Sequence, residues 1–130
     1  LHLEFLEKAK ENLSDAEDAF KNGRYNACGN RAYFASYQAA IALLVRSGTQ
    51  LPSKLDFKHS WMQANFVTNF IKRKKVFSSS FSNHLNDLRS REIADYRPES
   101  LSKKDAKYAL NKANEFCKLI AKEILGNEES

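Results

Sequence analysis

The stretch from Arg24 to Ser47 constrains this chain more than any other. Tyr25, Cys28, Ala32, Ala35, Ala39 and Leu43 recur at steps of three and four, the period of one helical stripe. Tyr33, Phe34, Tyr37 and Ile41 carry the apolar surface round much of the cylinder. A helix that is apolar on most sides has to be surrounded, so it is expected at the centre of a bundle. The alanines in its stripe let neighbouring helices approach closely. Asn30, Arg31 and Gln38 interrupt that surface. A charged Arg on so crowded an element needs a partner, or a route to water for its tip.

The remaining segments supply the surround. Leu6, Ala9, Leu13, Ala16 and Phe20 form one buried stripe over residues 2–21, and Lys21-Asn22-Gly23 ends that helix. Gly48 stops the second. Thr49 to Lys58 contains Pro52 and reads as a loop. Residues 59–75 read as a shorter amphipathic helix with Trp61, Met62, Phe66 and Phe70 inward. It closes on Lys72-Arg73-Lys74-Lys75, a basic run that complements the helix macrodipole or meets a nucleic acid. A polar turn over 78–82 leads to a fourth helix with Phe77, Phe81, Leu85 and Leu88 inward, ending at Arg97-Pro98. Ser102 with Asp105 resembles a capping pair. Ala106, Ala109, Ala113, Phe116, Ile120 and Ile124 then make a last helix, expected to stop at Gly126 before a frayed acidic tail over 127–130. The expectation is an all-α, five-helix up-and-down bundle, one domain over residues 1–126.

At 130 residues the chain suits one domain and not two. Lys and Arg number 21 against 16 Asp and Glu, a net charge of +5 that favours contact with a polyanion. Cys28 and Cys117 show no Cys-x-x-Cys spacing, and with only three histidines beside them no metal site is expected. No Gly-rich phosphate loop or nucleophile elbow is present, and no cofactor is expected. No apolar run approaches the roughly 20 residues a bilayer requires, and nothing resembles a signal peptide. The expectation is a cytoplasmic protein.

Chemistry concentrates between Asn83 and Tyr96, where imidazole, carboxylate, guanidinium and phenol crowd together. On a helix, Leu85, Leu88 and Glu92 share one stripe, and His84, Asp87 and Arg91 fall on a neighbouring one. Asp87 precedes Arg91 by four residues, a spacing at which a carboxylate can hold a guanidinium in place. Such a row is either a solvated face with one ion pair or a phosphate-facing edge ending at Tyr96.

Gly23-Arg24-Tyr25-Asn26-Ala27, then Asn30-Arg31-Ala32-Tyr33-Phe34-Ala35-Ser36-Tyr37-Gln38-Ala39-Ala40, then His59-Ser60, then Arg91-Glu92-Ile93-Ala94-Asp95-Tyr96, resemble a HEPN domain. The likeness runs from Leu6 to about Ile124 and is nearest to the small stand-alone prokaryotic members. It implies a helical bundle that dimerises through its second and fourth helices at a shared cleft. Many such domains are metal-independent endoribonucleases with an Arg-x4-6-His signature. Some are toxins paired with an MNT-type nucleotidyltransferase antitoxin, and others bind RNA, nucleotides or proteins without cleavage. By resemblance, Arg91 matches the motif arginine, Asp87 the upstream acid, and Asn30 and Arg31 the polar positions opposite. Tyr96 stands where the motif histidine belongs.

That departure decides the expected chemistry. Metal-free RNA cleavage needs a base for the 2'-OH, an acid for the leaving oxygen and a cation for the phosphorane. Arg91 suits the last role, because a guanidinium stays charged and matches phosphate oxygens in pairs. A phenol titrating near pH 10 is ionised in only about one molecule in a thousand at pH 7, so Tyr96 is a poor base. His84 lies roughly 10 Å along the helix from Arg91, too far to share a phosphate within one chain. It would reach only across a two-fold axis, and is otherwise a surface histidine. The expectation is therefore a homodimer that binds RNA or a nucleotide through Arg91, Asp87, Tyr96, Asn30 and Arg31, with weak or absent ribonuclease activity. A ribonuclease toxin with an MNT-type partner, and a non-catalytic protein-interaction module, are the alternatives.

Overall fold

Because its alanines carry so little bulk, α2 (Tyr25–Arg46) can sit at the axis of the structure. Ala32, Ala35, Ala39, Ala40 and Ala42 have no exposed surface, and Leu44 has none either. The structure, a computed structural model, describes residues 1–73, 77–81, 83–92 and 101–129, and within these the side chains at 73, 80, 91, 92 and 127–129 are not described. Around α2 pack α1 (His2–Lys21), α3 (His59–Phe66), α4 (His84–Glu92) and α5 (Lys103–Glu129). Among the described residues there is no strand, and the five-helix bundle is as expected.

The helix ends follow from local chemistry. Gly23 and Gly48 adopt φ of +74° and +80°, a region that costs a Cβ-bearing residue energy and costs glycine nothing. In each case the following residue donates its N–H back across the last turn, Arg24 to the Ala19 carbonyl at 2.8 Å and Thr49 to the Leu44 carbonyl at 3.2 Å. Ser102 caps α5 by accepting the Asp105 N–H at 3.0 Å. The Leu101 N–H donates to Asn26 Oδ1 at 2.6 Å and so ties that start to the first turn of α2.

Two expectations about length need correction. α5 runs through Gly126 to Glu129. A Cβ built on Gly126 would meet nothing within 4 Å, so this glycine neither closes a turn nor serves a close approach. The third helix is α-helical only to Phe66 and then widens into a π turn over Val67–Arg73. Phe66 and Phe70 still face inward. Together with Phe77, Phe81 and Phe116 they form a ring cluster whose neighbouring centroids lie 5.2 to 6.0 Å apart. The expected end of the fourth helix, at Pro98, falls outside the described residues.

Candidate functional site

α4 is positioned by one inward stripe. Leu85 and Leu88 are buried, and His84 beside them is buried too, at 7 % exposure. The His84 ring stacks on Phe116 with centroids 4.2 Å apart, and its Nε2 lies 3.3 Å from Ser36 Oγ of α2. Four residues on, Leu88 shares a core cluster with Cys28 and Ala32, so α4 runs antiparallel to α2. The described end of α4 therefore lies toward the N-terminal half of α2, the half that carries Asn30 and Arg31. The Arg91 backbone lies one residue before the end of the described part of α4 at Glu92, while Tyr96 lies outside the described residues.

His84 is thus a core residue and not the surface histidine expected. Burial pulls its pKa down from 6.5 to about 4; nearby Lys112 pushes the same way and Asp87 opposes. The imidazole is neutral at pH 7. It forms the floor of a cleft of about 320 Å³ between α4 and α5, lined also by Asn83, Asp87, Tyr108, Lys112 and Glu115. Asp87, half-buried, lines this cleft and so faces α5.

Asn30 and Arg31 are held together, and Arg31 also reaches α1. Arg31 donates from Nε at 3.0 Å and from Nη2 at 2.6 Å to Asn30 Oδ1, and from Nη1 at 3.2 Å to Asn12 Oδ1. Its guanidinium lies 5.3 Å from the centre of the Phe34 ring. These partners fix its direction without neutralising it. Among the described residues no carboxylate holds Arg31, and none of its described contacts is to Asp87.

The polar chain linking α2, α3 and α4 was not legible as a unit. Tyr33 is buried as core, yet its hydroxyl lies 2.7 Å from His59 Nδ1. His59 Nε2 lies 2.5 Å from Asn86 Oδ1. That oxygen can only accept, so Nε2 carries the proton and the Tyr33 hydroxyl donates to Nδ1. Beside them, burial raises the Tyr37 phenol to about 12; Tyr33 and Asp56 reinforce that rise, and Arg89 opposes it. Arg89, exposed one turn after Asn86, is a member of this face that the sequence reading passed over. Its only sequence signal is the i, i+3 step from Asn86. Cys28 and Cys117 are raised to about 11 and about 12 by burial, so neither is a thiolate nucleophile at neutral pH.

The chain matches the HEPN domain over residues 2–124. It belongs to the HEPN family. It is also 30 % identical, over 118 residues, to a UPF0332 protein from Thermotoga maritima, an alignment spanning 90 % of this chain and 86 % of that one. The HEPN match covers all five helices except the end of α5. The α2 motif, His59 and the start of the Arg91 motif therefore lie inside the matched region. Among the described residues of this HEPN domain no helix is long and apolar enough to cross a membrane, and no three His, Cys, Asp or Glu side chains gather as metal ligands.

Proposed function

We propose that this HEPN domain binds RNA or a nucleotide in a cleft shared by two copies, with little or no cleavage. Arg91 is the phosphate contact, Asp87 orients it, Tyr96 donates a hydrogen bond, and Asn30 and Arg31 form the opposite lip. The observation that carries this reading is the α2–α4 register. It directs the described end of α4 toward the half of α2 that carries Asn30 and an Arg31 whose partners are two neutral amides and a ring. A guanidinium at Arg31 that no described carboxylate neutralises favours an anionic ligand.

The burial of His84 supports binding over cleavage. A side chain stacked on Phe116 and bonded to Ser36 is badly placed to reach across a two-fold axis for a 2'-OH. The toxin reading, with an MNT-type nucleotidyltransferase as antitoxin, then rests on Tyr96 alone as base.

The test is anisotropy of a labelled single-stranded RNA without divalent metal, beside sedimentation of the protein. Affinity is expected to fall with salt, and Arg91→Ala to weaken it by at least about tenfold while lowering the salt slope by roughly one. No product carrying a 2',3'-cyclic phosphate is expected. An Arg91→Ala variant that binds RNA as the parent does, or that differs only in oligomeric state, removes the assignment.

A further inference from the structure

We infer that a second ligand site, for a nucleobase with its phosphate, lies on the opposite side of α3 from the α4 face. It is an open pocket of about 770 Å³ lined by Thr49, Gln50, Ser53, Trp61, Asn65 and Asn69, with Leu51 and Pro52 at its edge. Trp61 and His59 are two residues apart on α3, about 200° round the helix, so this pocket and the Tyr33–His59–Asn86 chain face different ways. The site does not depend on the reading of Arg91.

Three independent features converge on it. The first is the π turn. Along an α-helix a step of four overshoots a full turn, and along the wider π turn it falls short. The change of pitch at Val67 therefore keeps Trp61, Asn65 and Asn69 on one line, all three half-buried. Single π turns are rare and recur at functional sites. The second is the backbone of the loop opposite. Lys54 and Leu55, neither of them glycine, adopt φ of +62° and +54° directly after Ser53. Consecutive left-handed residues with side chains are strained, and such strain clusters at ligand clamps. The third is the lining itself. No lining residue is charged. Gln50, Asn65 and Asn69 present amides, each offering a donor and an acceptor side by side, and Trp61 presents an aromatic wall backed by Phe57, with ring centroids 5.7 Å apart.

Those groups select the ligand class. A planar heterocycle is the chemistry that satisfies a stacking face and paired amides at once, since Asn and Gln match the donor–acceptor edge of a base such as adenine. The charge sits at the margin, where Lys54 and Lys58 flank the loop and exposed Lys72 follows Asn69 by three residues. Three exposed lysines against the one exposed carboxylate of Asp56 leave this margin net positive, which suits a base with its phosphate outside better than a neutral sugar. The asparagine amide at 65 already donates to the Trp61 carbonyl at 2.9 Å, which holds its oxygen fixed for a ligand donor.

The chain has one tryptophan, so the intrinsic fluorescence of the whole protein reads this pocket directly. Titration with AMP, and separately with a short oligoadenylate, is expected to shift or quench that emission saturably. Response to AMP alone assigns a free nucleotide, response to the oligomer alone assigns an RNA strand, and either supports the site. Asn69→Leu is expected to weaken the response by about tenfold. Asn65→Ala, checked for native circular dichroism, serves if the π turn does not tolerate the leucine. Silence toward both probes overturns the proposal. So does an equal response to inorganic phosphate or to maltose, or a response that survives both asparagine variants.

Discussion

The two ends of α2 are packed in opposite ways. Toward its N-terminus the core is made of small side chains, with Ala16 and Ala19 of α1, Ala32 of α2, and Ala106, Ala109 and Ala113 of α5 all buried. Toward its C-terminus the alanines Ala35, Ala39, Ala40 and Ala42 are joined by rings, with Phe66, Phe70, Phe77 and Phe116 buried beside Met62, Ile120 and Ile124. Where alanines meet, three long regular helices lie close and little else is needed. Where the space is filled by rings, the chain around them is broken into short pieces. These are a π turn at Val67–Arg73, a 3-10 turn at Ser53–Leu55 and another at Ser79–Phe81. The close-packed end holds Asn30 and Arg31 on a regular helix, whereas the ring-filled end tolerates the irregular backbone that shapes the pocket beside Trp61.

The comparison breaks most visibly at Phe116, which touches Phe66, Phe77, Phe81 and His84. Phe116→Ala is expected to cost about 3–5 kcal/mol in urea unfolding, the loss of transfer energy plus an unfilled cavity. A loss below about 1 kcal/mol would mean that the ring-filled end relaxes freely, and the contrast with the alanine end would fail.

His84 sharpens the comparison at intermediate size, because it stacks on that same ring. Above pH 6.5 both folded and unfolded chains hold a neutral imidazole. As the pH falls, the unfolded chain takes up a proton near 6.5, while the folded chain refuses it until about 4. The unfolded state then binds more protons, so stability drops through this window as the pH falls. The drop from pH 7 to pH 5 is expected to reach about 2 kcal/mol more in the parent than in His84→Gln. Equal slopes of urea midpoint against pH in the two proteins would show that the imidazole is not held neutral.

Periodicity made the bundle legible because its helices bury apolar stripes, and the limits of α1 and α2 fall within a residue of those read from spacing. Residues whose state is fixed by a distant element were not legible. His84 reads as part of a polar stripe with Asp87 and Arg91; only Phe116 and Ser36, brought in by α5 and α2, make it core. Arg31 reads as a polar position opposite the Arg91 motif; the bond it also makes to Asn12 of α1 has no signal in the spacing. The π turn leaves apolar spacing almost unchanged at Phe66 and Phe70, so nothing in the stripe betrays it. Gly126 has the composition of a stop signal but adopts no left-handed turn, and a helix of 27 residues continues past it.

The smallest effect tests whether the alanine end also relies on polar ties across the bundle. Tyr33→Phe keeps the ring, whose centroid lies 5.2 Å from Phe34 and 5.8 Å from Tyr37, and removes only the hydroxyl that donates to His59. The expected cost is about 1 kcal/mol, because His59 Nδ1 loses its donor while remaining half-buried. Size alone does not identify the cause, since a small loss in packing would look the same. The chain of bonds predicts coupling as well. With Asn86→Ala in place the Nε2 proton has no fixed acceptor, the imidazole can adopt the other tautomer, and the Tyr33 hydroxyl is then worth less. The double variant should therefore fall short of the sum of the two singles by at least about 0.5 kcal/mol. Additivity within about 0.3 kcal/mol would mean that the three side chains are merely adjacent and that apolar packing alone holds α2, α3 and α4 together.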